Sequence, residues 1–194
     1  PRGQWAGESH SDYLNEAVLS DASHSRTAFG TLQRLIDERV IRTTSGNTRV
    51  SVDVVCLSAR PLLNLVAKRI FRQHRGRWDF EHYGIGVRRK SVSALGGRPV
   101  IYGDDSVWQS LPQGEHPWFQ PRQSRPTKTS IDWTIENEWR LTSELNFDRL
   151  PVDDVFVFCA TEDEAAELRS TCDWRVVSVE TLNARSQGSD DIGN

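Results

Sequence analysis

The sequence predicts an α+β fold, a single domain with a mixed, mainly antiparallel sheet and flanking helices. Three observations predict it. Two amphipathic runs at helical spacing, 27-TAFGTLQRLIDERVI-41 and 61-PLLNLVAKRIFRQH-74, surround the β-branched run 50-VSVDVVCLS-58. Several short extended runs then follow one another, separated by Gly, Pro and Ser. A strand–helix–strand pattern over 155–182 closes the fold. A chain of 194 residues suits one domain. That domain is placed at 1–183, with 1–26 loosely packed and 184–194 a polar, disordered tail.

Each element has its own reason. Tyr13, Leu14, Ala17, Val18 and Leu19 suit one short helix. In 27–41, Phe29, Leu32, Leu35, Ile36 and Val40 form an apolar stripe opposite charged residues, with Gly30 a slight weakness and 43–47 a turn. Val50, Val52, Val54 and Val55 favour a strand. Pro61 suits the first turn of a helix. Its stripe is Leu62, Leu65, Val66, Ile70 and Phe71, and its other face carries Lys68, Arg69, Arg72, Arg75 and Arg77. The run 83-YGIGVRRKSV-92 reads as a strand that Gly84 and Gly86 leave bare on one face, a mark of a bulge or of the close approach of a ligand or another backbone. A Gly-Gly turn leads into 99-PVIYG-103, and the proline-rich 104–130 reads as a long loop, the kind that is usually functional or mobile. The run 155-VFVFCA-160 is a buried strand, acids open the helix 162–172 as the macrodipole prefers, and 174-WRVVSVETL-182 is a last strand.

Composition narrows the function classes. Hydrophobic residues make up 37% and charged residues 26%, enough for a core beneath a strongly polar surface. A net charge of -3 exerts no global pull on nucleic acid and leaves room for a local basic patch. No apolar run approaches the roughly 18–20 residues of a membrane span, and no signal-peptide pattern opens the chain. Cys56, Cys159 and Cys172 have no metal-like spacing, lie in or beside apolar runs and read as buried free thiols, with core packing the reading for Cys56. An odd count argues against a disulfide framework and for a reducing, cytoplasmic setting. The chain has no methionine and starts at Pro1, which fits a processed Met-Pro start or an internal residue of a longer chain.

The stretch 131-IDWTIENEWRL-141 concentrates the chemistry. As a strand it places Trp133, Ile135, Asn137, Trp139 and Leu141 on one face, and Thr134, Glu136, Glu138 and Arg140 on the other. Two like-charged carboxylates side by side repel, and Arg140 relieves this. As a helix the glutamates diverge and Glu136 pairs with Arg140. Thr134, Ile135 and Trp139 fit the strand better. A solvated charged edge, a catalytic pair and a glycosidase-like carboxylate pair all remain open on these residues.

The series VVCLSARPL, RWDFEHYGIGVRR, GGRPVIYGDD and DWTIENEWRL, over about residues 50–141, resembles a group of bacterial proteins with a W-x-x-E-x-E-W-R box. Some members are described as abortive phage-infection proteins. The layout is similar, more remotely, to ADP-ribosyltransferase-fold toxins. The resemblance implies an ADP-ribosyltransferase-like fold and an NAD-dependent toxin or phage-defence activity, with NAD as substrate, no metal, and a nucleic acid or protein as acceptor. It implies that Glu138 holds the ribose hydroxyl and stabilises the oxocarbenium-like transition state. It implies that Glu136 orients or deprotonates the acceptor, that Tyr83 stacks on nicotinamide and that Arg140 or the basic face meets the pyrophosphate. The stretch 3-GQWAGES-9 resembles a segment that follows an NAD-gripping histidine in the group, and His10 and His24 stand outside that pattern. The alternative is a non-catalytic binding module of the same fold, taking nucleic acid or protein.

Other candidates are fewer. Arg69, Arg72, Arg88 and Arg89 belong to basic runs that suit phosphate contact, or else a solvated face paired with acids. His74, His82 and His116 are scattered without metal-ligand spacing. Gly84-x-Gly86 lacks the third glycine and helix start of a dinucleotide fingerprint.

Overall fold

The computed structural model describes residues 8–19, 26–44, 48–72, 77–122 and 137–190. Helices and mainly antiparallel strands share the chain, which is an α+β fold. The Asp12 amide donates to the Ser9 hydroxyl at the start of α1 (His10–Leu19). Thr27 caps α2 (Ala28–Glu38) by accepting from the Gly30 amide, and Leu32 and Ile36 of the expected stripe are buried. The helix stops short of Ile41 because Arg39 turns left-handed at φ 51°. Val40–Ile41 then form β1. The strand expected over 50–58 is confined to β2 (Val55–Ser58), where Val55 turns inward and Cys56 outward. Cys56 is therefore exposed and not a core residue.

The helix expected over 61–74 is the largest departure. Only α3 (Leu62–Val66) forms, and β3 (Ile70–Arg72) pairs antiparallel with β4 (Arg77–Asp79). Ile70 and Phe71, expected in the buried stripe, are 44% and 48% exposed. β-branched and aromatic side chains suit a ribbon, and no helix side-chain cap stabilises the alternative. Downstream, β5 (Gly84–Val87) ends before α4 (Arg89–Ala94), so the expected strand 83–92 changes type at Arg88. β6 (Arg98–Pro99) and β7 (Ile101–Gly103) follow. The expected long loop is structured up to residue 121: Asp104 caps α5 (Asp105–Ser110), and a 3-10 turn (Gln113–Trp118) leads into β8 (Phe119–Pro121). Then come β9 (Glu138–Leu141), β10 (Leu145–Asn146) and β11 (Val155–Cys159). α6 (Glu162–Arg169) starts at a complete capping box between Thr161 and Glu164. The last expected strand is β12 (Arg175–Ser178), which gives way to α7 (Val179–Asp190) and not to a longer strand. Helix thus covers most of the stretch expected as a disordered tail, and residues 191–194 lie outside those described.

Residue contacts divide the chain into two compact units, each discontinuous in sequence. The first comprises 1–39, 61–88 and 147–194. Its sheet has the order β12-β11-β5, with β11 parallel to β12 and antiparallel to β5. Val66, Phe158 and Val179 form a buried cluster, with Leu62, Leu63, Phe156 and Val177 against it. The bare face of β5 is filled from across the ladder. Gly84 faces Phe158 and Gly86 faces Phe156 in register, and a Cβ at Gly86 would lie 2.1 Å from the Phe156 ring. These glycines accommodate two phenylalanines of the same sheet.

The second unit comprises 40–60 and 89–146. Its sheet has the order β2-β9-β6, all antiparallel, beside the pairs β1–β10 and β7–β8. Val54, Phe119, Leu141 and Leu145 are its most buried apolar side chains. The Val100 amide, between β6 and β7, donates to the Glu138 carbonyl at 2.9 Å and fixes the start of β9.

Candidate functional site

Strand alternation sends Trp139 and Leu141 to one face of β9, and Glu138 and Arg140 to the other. Directly opposite residues share a face. Glu138 is therefore flanked by Ser58, and Arg140 by Cys56 on one side and Arg98 on the other. The Arg140 side chain is 2% exposed and that of Glu138 is 12% exposed. Arg140 Nε donates to Glu138 Oε1 at 2.8 Å. Its Nη1 donates to the carbonyls of Pro117 at 3.1 Å and Phe119 at 3.0 Å, and its Nη2 donates to Gln120 Oε1. In return the Trp118 indole donates to the Arg140 carbonyl at 3.0 Å. Arginine has five N–H donors in a planar fork, and here they tie the 117–120 segment to β9 and hold the Glu138 carboxylate in one orientation. A pyrophosphate at Arg140 would have to displace these acceptors.

Two more contacts shape this face. Arg98 lies 4.7 Å from the Trp118 ring centroid and donates to Glu115 Oε1 at 2.7 Å, which holds the Glu115 carboxyl below its usual range. The Cys56 thiol is pushed up to about 12, first by desolvation and then by the Glu138 carboxylate beside it, with Arg140 acting in the opposite direction. The residue is exposed while its sulfur is crowded by β9, so geometry and chemistry separate here.

Asn137 is left-handed at φ 48°, and its carbonyl accepts from the Ala59 amide at 3.1 Å. The side-by-side placement of Glu136 and Glu138 on one strand requires Asn137 to be extended, which it is not. Glu136 itself lies outside the described residues.

The remaining candidates are placed as follows. Tyr83 belongs to the first unit and Glu138 to the second. The Tyr83 hydroxyl donates to Glu164 Oε1 at 2.9 Å, and its ring tilts against Phe29 at 6.1 Å. Desolvation, followed by that hydrogen bond, pushes the phenol up to about 12. Arg69 pairs with Glu81 at 3.3 Å, and desolvation, then Arg69, lowers the neighbouring His82. Arg88 pairs at 2.8 Å with Asp154, whose side chain is 5% exposed. Arg89 opens α4 and lies 5.7 Å from the Trp139 ring centroid. Arg72 stands opposite Arg77 in the β3–β4 ladder. Sequence reasoning missed Pro117, Trp118, Phe119 and Gln120 as the partners of Arg140, since no local spacing links positions twenty or more residues apart.

Among the described residues, no group of three or more His, Cys, Asp or Glu is placed to hold a metal ion, and no helix is long and apolar enough to cross a membrane. The chain matches no family model, no curated protein and no solved structure.

Proposed function

We propose that the chain is an NAD-dependent ADP-ribosyltransferase-like protein of the toxin or phage-defence type, with Glu138 as the carboxylate that carries the transfer. One observation supports this reading beyond the resemblance of the box: Glu138 is held by a buried arginine whose other donors are engaged by the protein. A group that stabilises developing positive charge works best when it is oriented before the substrate arrives. NAD supplies the ADP-ribosyl group as a substrate. The glycosidic bond to nicotinamide breaks, nicotinamide leaves with the bonding electrons, and the acceptor's lone pair forms the new bond as its proton is lost. Glu138 bonds the ribose hydroxyl and faces the cationic carbon. Arg140 is a positioning residue in this scheme and not a pyrophosphate contact. Glu136 takes the acceptor's proton.

The test is proton NMR of NAD incubated with the protein, alone and with DNA, RNA or cell extract. Free nicotinamide is expected, and Glu138→Gln should abolish its release while leaving the circular dichroism spectrum unchanged. A folded wild-type protein that releases no nicotinamide under any of these conditions overturns the reading and leaves the non-catalytic module of the same fold.

A further inference from the structure

The Arg140 guanidinium holds two side chains at once. Its Nε donates to Glu138 Oε1 and its Nη2 to Gln120 Oε1, while Nη1 is engaged by the Pro117 and Phe119 carbonyls. A guanidinium only donates, so the Gln120 atom that faces it is the carbonyl oxygen, and the two amide hydrogens point elsewhere. Among the described residues those hydrogens meet no acceptor. Gln120 is half-buried on β8, between the buried Phe119 and the exposed Pro121. An ionised carboxylate has about four acceptor sites, and Glu138 meets only Arg140 and the neighbouring Cys56 thiol among the described residues. Ser58, opposite Glu138, and Cys56, opposite Arg140, are both exposed, so this end of the sheet face is open to solvent.

One rigid group thus orients an acceptor-only side chain and an amide donor, with hydrogen-bonding capacity left on both. Their complement is a ligand that carries a donor and an acceptor on neighbouring atoms. A phosphate has no donor for Glu138 and is repelled by it, and a bare cation has no acceptor for Gln120. A vicinal diol answers both, because each hydroxyl donates and accepts. We infer that Gln120 is a second ribose contact: Glu138 accepts from one hydroxyl of the sugar, and the Gln120 amide donates to the hydroxyl beside it. The inference rests on the reading of Glu138 as the ribose-binding carboxylate and makes that reading more specific. A site built to hydrogen-bond both hydroxyls rejects a sugar that lacks one, since a polar group of the protein is then left unpaired.

The experiment is calorimetric titration of the full chain with ADP-ribose and with its 2′-deoxy and 3′-deoxy analogues, modified on the ribose that bears nicotinamide in NAD. Gln120→Glu is the variant, because it keeps an oxygen for Arg140 and removes only the amide donor. It should keep the wild-type fold by circular dichroism and weaken ADP-ribose about fivefold to tenfold, as loss of one hydrogen bond does. Against one of the two deoxy analogues, the one lacking the hydroxyl that Gln120 meets, the variant should bind as the wild type does. A purely structural role for Gln120 leaves ADP-ribose binding unchanged in this variant, and simple charge repulsion weakens all three ligands equally. Either result overturns the inference, as does a wild type that binds no ADP-ribose, or binding of nicotinamide alone that depends on Gln120. Nicotinamide release from NAD, measured in parallel on the wild type, separates the two claims. Release together with an unaffected Gln120→Glu protein sinks the Gln120 contact and keeps the transferase. The expected binding pattern without release keeps the diol contact and sinks the transferase.

Discussion

Arg140 and Glu138 form an ion pair two positions apart on one strand, 2.8 Å from Nε to Oε1, with the guanidinium almost wholly buried. The pair is held inside a larger knot in which the same guanidinium meets the Pro117 and Phe119 carbonyls and Gln120. Removing one member of a buried pair leaves the other charge uncompensated, which costs about 3–5 kcal/mol. Arg140→Ala should lose stability in that range in urea denaturation. Arg140→Lys should also lose stability, because an ammonium cannot reach the same fork of acceptors. A loss of under about 1 kcal/mol would mean that the knot does not hold the 117–120 segment.

Asn137 introduces β9 in the left-handed region, φ 48°. A β-branched side chain there costs roughly 1–2 kcal/mol, whereas glycine adopts the conformation freely. Asn137→Val should therefore lower the melting temperature and Asn137→Gly should leave it nearly unchanged. Equal tolerance of both would place Asn137 in extended backbone and restore a shared strand face for Glu136 and Glu138.

Gly86 has no room for a methyl group, because the Phe156 ring occupies that space. Gly86→Ala should cost about 1–3 kcal/mol through overpacking. Adding Phe156→Leu should recover part of the loss, which a double-mutant cycle would read as coupling. Strict additivity would count against the contact.

Glu162 is held well below the usual carboxylate value of 4.5, to about 2, first by Arg169 and then by the Ser178 and Thr181 hydroxyls. A depressed carboxylate contributes stability above its unfolded pKa and loses it as pH falls through the folded one. Stability should therefore decline between about pH 4.5 and pH 2, with part of the decline assigned to this group. In Glu162→Gln the decline should be shallower. Parallel pH profiles for the two proteins would contradict this assignment.

Cys56 is exposed, yet its thiol is pushed up to about 12. The thiolate is the reactive form, so labelling by iodoacetamide near neutral pH should be slow. Glu138→Gln removes the neighbouring negative charge and should speed it. Rapid labelling of the wild type, mapped to Cys56 by mass spectrometry, would show that exposure and not desolvation governs this sulfur.

The elements that were legible in the sequence are those whose signals are local. The Leu32 and Ile36 stripe marks α2, the apolar run VFVFC marks β11, and the acids from Glu162 mark the start of α6. Periodicity and first-turn charge act within a few residues, so one chain segment contains the whole signal. The α+β class follows from those segments. Tertiary structure decided the rest, because the deciding partner lies far along the chain. Ile70 and Phe71 match a helical stripe as well as a ribbon, and the strand at Arg77–Asp79 settles them as a ribbon. Gly84 and Gly86 look like space left for a ligand until Phe156 and Phe158 arrive from across the ladder. Arg140 looks like a free cation beside two glutamates, and only the return of the 117–120 segment engages its donors with backbone carbonyls and Gln120. A charge or a bare face in a sequence has no partner until the fold supplies one, and the partner determines whether the group is available to a ligand.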